Sequence, residues 1–171
     1  MYIKRERYLS KIRPFYDVDL IKVLTGVRRC GKSILLEQIK EEFIENGFDR
    51  AHIITINFED LQFEKIRTAE KLNSYVNEQI KDHDKYLIFL DEIQECPNAR
   101  CAIKFLVEDG RFDYIESVSL LGVRYKDVTS YPVGFEQILP MYPLDFEGRD
   151  RAMCRESSCF YQSENLSSGQ I

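Results

Sequence analysis

Gly26-Val27-Arg28-Arg29-Cys30-Gly31-Lys32-Ser33 is the most informative stretch of this chain. It follows the apolar run Ile21 to Leu24 and precedes an amphipathic run carrying Ile34, Leu35, Ile39 and Phe43. Strand, glycine loop, Lys-Ser and helix in that order form the setting of a phosphate-binding P-loop. Gly26 and Gly31 permit the curl that turns successive backbone N–H groups toward phosphate oxygens. The helix opening at Lys32 adds the positive end of its dipole. Lys32 supplies a mobile cation for the outer phosphates, and the Ser33 hydroxyl can ligate Mg2+. A chance match to this pattern in a chain of this length is a roughly 1-in-200 event. The whole loop, Val27, Arg28, Arg29 and Cys30 included, is therefore read as nucleotide-binding. Arg28 and Arg29 either point outward or else help neutralise phosphate charge or contact a partner, and Cys30 is either an oxidant-sensitive thiol or a small residue that fits.

Outward from the loop, strands and helices alternate. Before it, residues 4–16 place Tyr8, Leu9, Ile12, Phe15 and Tyr16 at helical spacing, and Pro14 ends the pattern. Arg5, Arg7 and Arg13 are read as that helix's solvated face, with a nucleotide-edge or partner contact as the alternative. A strand over Ile21–Thr25 leads into the loop, and the helix after it runs from Lys32 to Glu45, stopped by Asn46-Gly47. His52 to Phe58 is rich in β-branched residues and predicts a strand. Residues 68–82 predict a helix through Leu72, Tyr75, Val76 and Ile80. Tyr86-Leu87-Ile88-Phe89-Leu90 predicts a parallel strand covered on both faces. A helix over 99–108 and strands over Phe112–Ser119 and Gln137–Met141 follow. The alternation gives a three-layer α/β fold with a mainly parallel sheet.

Asp91-Glu92 closes the apolar strand. Acidic residues often end strands, but behind a P-loop at this separation the pair acquires a chemical reading. Asp91 would hold the Mg2+ shell, and Glu92 would polarise the attacking water. An adjacent Glu favours hydrolysis by water, whereas a small-molecule phosphotransferase needs an acceptor pocket and lid arginines.

G-V-R-R-C-G-K-S and Y-L-I-F-L-D-E-I-Q-E resemble bacterial and archaeal AAA-superfamily ATPases whose P-loop reads G-x-R-R-x-G-K-S/T. Y-P-V-G-F-E and M-Y-P-L-D-F-E look like the same family, so the resemblance spans residues 1 to about 147. It implies a RecA-like P-loop NTPase sandwich of the additional-strand catalytic-glutamate type, with ATP and Mg2+ as ligands. The additional strand would be Phe112–Ser119, lying between the P-loop strand and the Asp-Glu strand. The family implies a polar sensor at that strand's end, where Ser119 stands, alongside Lys32 and Glu92 as catalytic residues. Relatives usually have Gly before the serine; here it is Val118, which resists a positive φ. Many relatives also carry Gly-Arg just after the sensor, and Arg124 is the corresponding candidate for an arginine acting in trans.

The remaining features bound the function. The chain has 171 residues, 44% of them hydrophobic and 31% charged, and a net charge of −5. That suits one soluble domain and gives no support to nucleic-acid binding or a membrane span. No signal peptide is evident and the five cysteines are an odd number, which predicts reduced thiols and a cytoplasmic setting. Cys96 with Cys101, and Cys154 with Cys159, lack the histidine partners or C-x2-C spacing of a zinc site. His52 and His83 are isolated. Residues 1–147 are read as the ATP-binding domain, with 1–18 as a helical lead-in. Residues 148–171 over-use Ser, Cys and Arg without period and are expected to be a disordered tail unlike the family's continuation. A disrupted reading frame near residue 147, leaving a truncated chain, would account for that. Two further functions stay open: a non-hydrolysing nucleotide-binding or interaction module that self-associates or meets a protein partner, and a phosphotransferase.

Overall fold

The computed structural model describes residues 3–96, 99, 103, 110–119 and 136–143. Helix α1 (Glu6–Ile12) runs into a tight turn over Arg13–Phe15; β1 (Ile21–Gly26) then leads through the loop into α2 (Lys32–Glu45). After these come β2 (Ile53–Asn57), α3 (Ala69–Gln79), β3 (Tyr86–Asp91), β4 (Phe112–Ser119) and β5 (Glu136–Met141). The five strands form one sheet in the order β2-β3-β4-β1-β5, with every pairing parallel. The additional strand β4 therefore separates the P-loop strand from the Asp-Glu strand, as the resemblance implied.

Burial explains the element types. β1, β3 and β4 are buried at every position, as expected of parallel strands covered on both faces. β5 lies at the edge of the sheet among the described residues, a position that tolerates a proline such as Pro140, paired opposite Thr25. Side chains alternate between two cores. Val23, Ile54, Ile56, Ile88, Tyr114 and Val118 pack with Leu72 and Val76 of α3. Leu24, Phe89, Ile115 and Met141 pack with Leu9 and Ile12 of α1 and Leu35 and Ile39 of α2. The sheet thus lies between α3 on one face and α1 with α2 on the other. Of the helix expected over 99–108, Ala99 and Ile103 are described, both helical and both in the α3-side core. Residues 144–171, with the expected tail, lie outside the described residues.

Two polar features brace these layers. Arg13 joins α1 to α2: its Nη2 and Nε donate to the two carboxylate oxygens of Glu42 at 2.6 and 3.1 Å, and it also pairs with Glu6. Hydrogen bonding to Arg13 is the main reason both carboxyls sit below their ordinary range. A lowered folded-state value stabilises the fold above the unfolded value and is lost as pH falls through the folded one. The urea midpoint is therefore expected to drop between about pH 5 and about pH 3, and to drop less in Arg13→Met. The second feature is Lys22, fully buried in β1, whose ammonium bonds the Val18 carbonyl at 2.7 Å and ion-pairs with Asp113 of β4.

One expectation is corrected here. Arg7 is exposed as predicted, but Arg5 is only 7% exposed and points into the protein. It lies at the N-terminal boundary of α1, where its guanidinium finds two backbone carbonyl acceptors that helical spacing could not reveal.

Candidate functional site

Because all strands are parallel, the loops after β1, β3 and β4 open at one edge of the sheet, where ligands of open α/β folds bind. The register sets Gly26 beside Ser119 and places Asp91 next to the end of β4. The two-residue period puts Ser117 and Ser119 on the same face as Ile115, the face that carries α2.

Gly26 and Gly31 are needed for different reasons. Gly31 has φ +96°, a left-handed conformation at the N-terminal boundary of α2 that L side chains rarely adopt. Gly26 has no such dihedral; instead, a Cβ there would meet the Met141 carbonyl oxygen at 2.6 Å and Cys30 Sγ at 2.7 Å. Gly26→Ala is therefore expected to prise β5 from the loop and cost about 1–3 kcal/mol by overpacking, read from urea denaturation. Cys30 is buried in that contact, which fits its role as a small filler. Val27, Arg28 and Arg29 are exposed, and Arg28 reaches Glu59 at 2.7 Å.

Lys32, though charged, is 3% exposed. Its Nζ donates to Ser119 Oγ at 2.8 Å and lies 3.6 Å from Glu92 Oε1. The Ser119 hydroxyl in turn donates to Glu92 Oε1 at 2.9 Å. Glu92 has φ +53°, unusual for a residue with a side chain. Its N–H bonds Ser117 Oγ at 3.0 Å, and the Ser117 hydroxyl donates to the Asp91 carboxylate. Burial pushes the Glu92 carboxyl upward, but the hydrogen bonds from Ser119 and Gln94 and the nearby Lys32 charge outweigh it. The group ends below its ordinary value and is ionised at neutral pH. Lys32, Ser119 and Glu92 thus converge, Asp91 is tied to the Glu92 backbone through Ser117, and Ser33 is exposed in the first turn of α2.

Val118 is no obstacle to this arrangement. It lies in the strand without a positive φ and is buried on the opposite face, and Ser119 reaches its partners from extended backbone. Two participants went unread in the sequence. Gln94 donates to Glu92 Oε2 at 2.6 Å and accepts from the Ser119 N–H at 3.1 Å, joining the two across the gap between β3 and β4. Ser117 holds Asp91, and its position two residues before Ser119 was the available signal. Arg124, Cys101, Cys154 and Cys159 lie outside the described residues. Burial pushes the Cys96 thiol up to about 11, which disfavours the thiolate that a zinc site needs.

The residues present fit Mg-ATP. A left-handed glycine precedes a helix N-terminus, an exposed hydroxyl follows the lysine, and a carboxylate pair stands across from it. Fold and site together define a P-loop NTPase of three-layer α/β/α architecture. The AAA domain family model matches residues 19–148, and the chain belongs to that family. An uncharacterised protein of Haemophilus influenzae is 30% identical over 159 residues, covering 86% of this chain and 40% of that protein. The chain therefore spans less than half the length of this curated relative. Among solved structures, PCH-2 of C. elegans superposes with a TM-score of 0.57 at 13% identity, over 92% of this chain and 44% of PCH-2. AMPPCP-bound DnaA from Aquifex aeolicus superposes with a TM-score of 0.52 at 15% identity, over 97% of this chain and 53% of DnaA. At these identities the likeness is one of fold. No helix among the described residues is long and apolar enough to cross a membrane.

Proposed function

We propose that this domain binds Mg-ATP in the Gly26–Ser33 loop and hydrolyses it with Glu92 as the general base. The observation that carries the reading is the contact set of Lys32 Nζ with Ser119 Oγ at 2.8 Å and of Ser119 with Glu92 at 2.9 Å. Backbone N–H groups of the loop and the first turn of α2 would hold the phosphates. Lys32 would place its charge on the outer phosphate oxygens, where negative charge accumulates during transfer. Glu92, ionised and aimed by Gln94, would take a proton from the attacking water. Ser119, between the lysine and the glutamate, would report the outer phosphate to Glu92. Bound Mg2+, held by Ser33 and Asp91, would offset phosphate charge. DnaA from Aquifex aeolicus, similar in fold, was solved bound to AMPPCP, which agrees with a triphosphate ligand here.

The test is phosphate release from ATP by the full chain, with and without EDTA and beside Lys32→Ala. Turnover that EDTA and Lys32→Ala both abolish supports the proposal. Turnover indifferent to both, or a parent chain that binds no ATP, sinks it. Binding without turnover would select the non-hydrolysing module instead, and ATP loss that requires an added acceptor would select a phosphotransferase.

A further inference from the structure

Four parts of the chain meet at Arg5. Its Nη1 donates to the Cys30 carbonyl of the loop at 3.3 Å, and its Nη2 to the Tyr142 carbonyl beyond β5 at 2.8 Å. Its backbone N–H bonds Gln38 Oε1 of α2 at 2.9 Å, and its guanidinium carbon lies 4.9 Å from the Tyr8 ring centroid in α1. Tyr8 makes a separate link to the same exit of β5, its hydroxyl accepting the Tyr142 N–H at 3.0 Å. A Cβ added at Gly31 would come 3.3 Å from Arg5 Nη1, so the guanidinium lies against the loop itself.

The Cys30 carbonyl and the Gly31 N–H belong to one peptide unit. That unit is planar and trans, so its C=O and N–H point in opposite directions. With the carbonyl drawn onto Arg5, the Gly31 N–H faces away from the Arg5 guanidinium. Glycine imposes little restraint on the orientation of its own peptide, so an external anchor is needed to hold one. Arginine suits the task because its planar fork spans two acceptors with a fixed geometry, which a lysine point charge cannot do.

We infer that Arg5 is a positioning residue for nucleotide binding: it fixes the Cys30–Gly31 peptide so that the Gly31 N–H is presented to phosphate. It also ties that peptide to the exit of β5. The inference rests on the P-loop reading above, and its test separates the two. In the 171-residue chain, Arg5→Lys keeps the charge and most of the volume, while Tyr8→Phe removes only the hydroxyl link to Tyr142. Three quantities are read: the Gly31 amide signal in 15N-glycine-labelled protein without nucleotide, the Mg-ATP dissociation constant by calorimetry, and the thermal midpoint.

Arg5→Lys is expected to shift the Gly31 signal and weaken Mg-ATP by about tenfold, the equivalent of one charge-assisted phosphate contact. Tyr8→Phe is expected to lower the midpoint while keeping affinity within about twofold. An unmoved Gly31 signal with parental affinity in Arg5→Lys overturns the inference. So does an equal loss of affinity in both variants, which would assign the effect to stability. A parent chain that binds no Mg-ATP, with the Gly31 signal still moving in Arg5→Lys, overturns the nucleotide reading and upholds the anchoring of the peptide.

Discussion

Glu92→Gln is expected to bind Mg-ATP about as tightly as the parent while turning it over roughly a hundred- to ten-thousandfold more slowly, the contribution of a positioned general base. The substitution keeps the side chain's shape and one carbonyl oxygen, which can still accept from Ser119 at the position of the 2.9 Å bond. What it removes is the ionised carboxylate, the group able to accept a proton from water. Lys32→Ala should behave differently. It deletes the buried cation shared by Ser119 and Glu92 and is expected to weaken binding as well as turnover. Single-turnover measurements with saturating ATP separate the two steps. Equal turnover in the parent and Glu92→Gln would remove Glu92 from the chemistry. The magnitude expected for Glu92 depends on Gln94, which holds both the glutamate and the Ser119 N–H.

Lys22→Met is expected to be among the most damaging substitutions to stability, at about 3–5 kcal/mol, because it strands the buried Asp113 carboxylate. Lys22 is 0% exposed and Asp113 6%, and Oδ2 of Asp113 has no hydrogen-bond partner among the described residues. Burial already pushes the Asp113 carboxyl upward against the pull of Lys22. The sign of the pH dependence follows. A group with a raised folded-state pKa favours the fold when protonated and loses that contribution as pH rises through the raised value. The deficit of Lys22→Met should therefore shrink on going from about pH 8 to about pH 5. Replacing both partners, Lys22→Met with Asp113→Leu, should recover most of the loss, because neither charge is then left buried. Urea titrations of the three proteins at two pH values decide the matter. A double variant no better than the single one would show that the pair does more than neutralise itself.

Much of the architecture was legible because local patterns and burial agreed. The run from Tyr86 to Leu90 is apolar at every position, which fits a strand covered on both faces, and β3 is that strand. α2 begins at Lys32 and ends at Glu45, where glycine and asparagine mark both boundaries. β4 was legible in extent, and the resemblance implied its place between the P-loop strand and the Asp-Glu strand. The burial of its polar residues was not legible: Asp113, Glu116, Ser117 and Ser119 all lie buried in the middle of the sheet. Strand order made that difference, because a strand placed between β1 and β3 has no open edge.

The amino-acid order alone reveals the succession of chemical parts: a glycine loop with its lysine at one strand end, and two carboxylates at another. Those are properties of residue type and near-neighbour spacing, which short-range geometry dictates. Tertiary structure alone decided which distant groups touch. It set Gln94 between Glu92 and Ser119, made Gly26 a point of close approach to β5, and turned Arg5 from the expected solvated face onto the loop. The physical reason is the same in each case. A hydrogen bond or steric contact between residues far apart in the chain depends on strand order and register, and neither is encoded within a single segment.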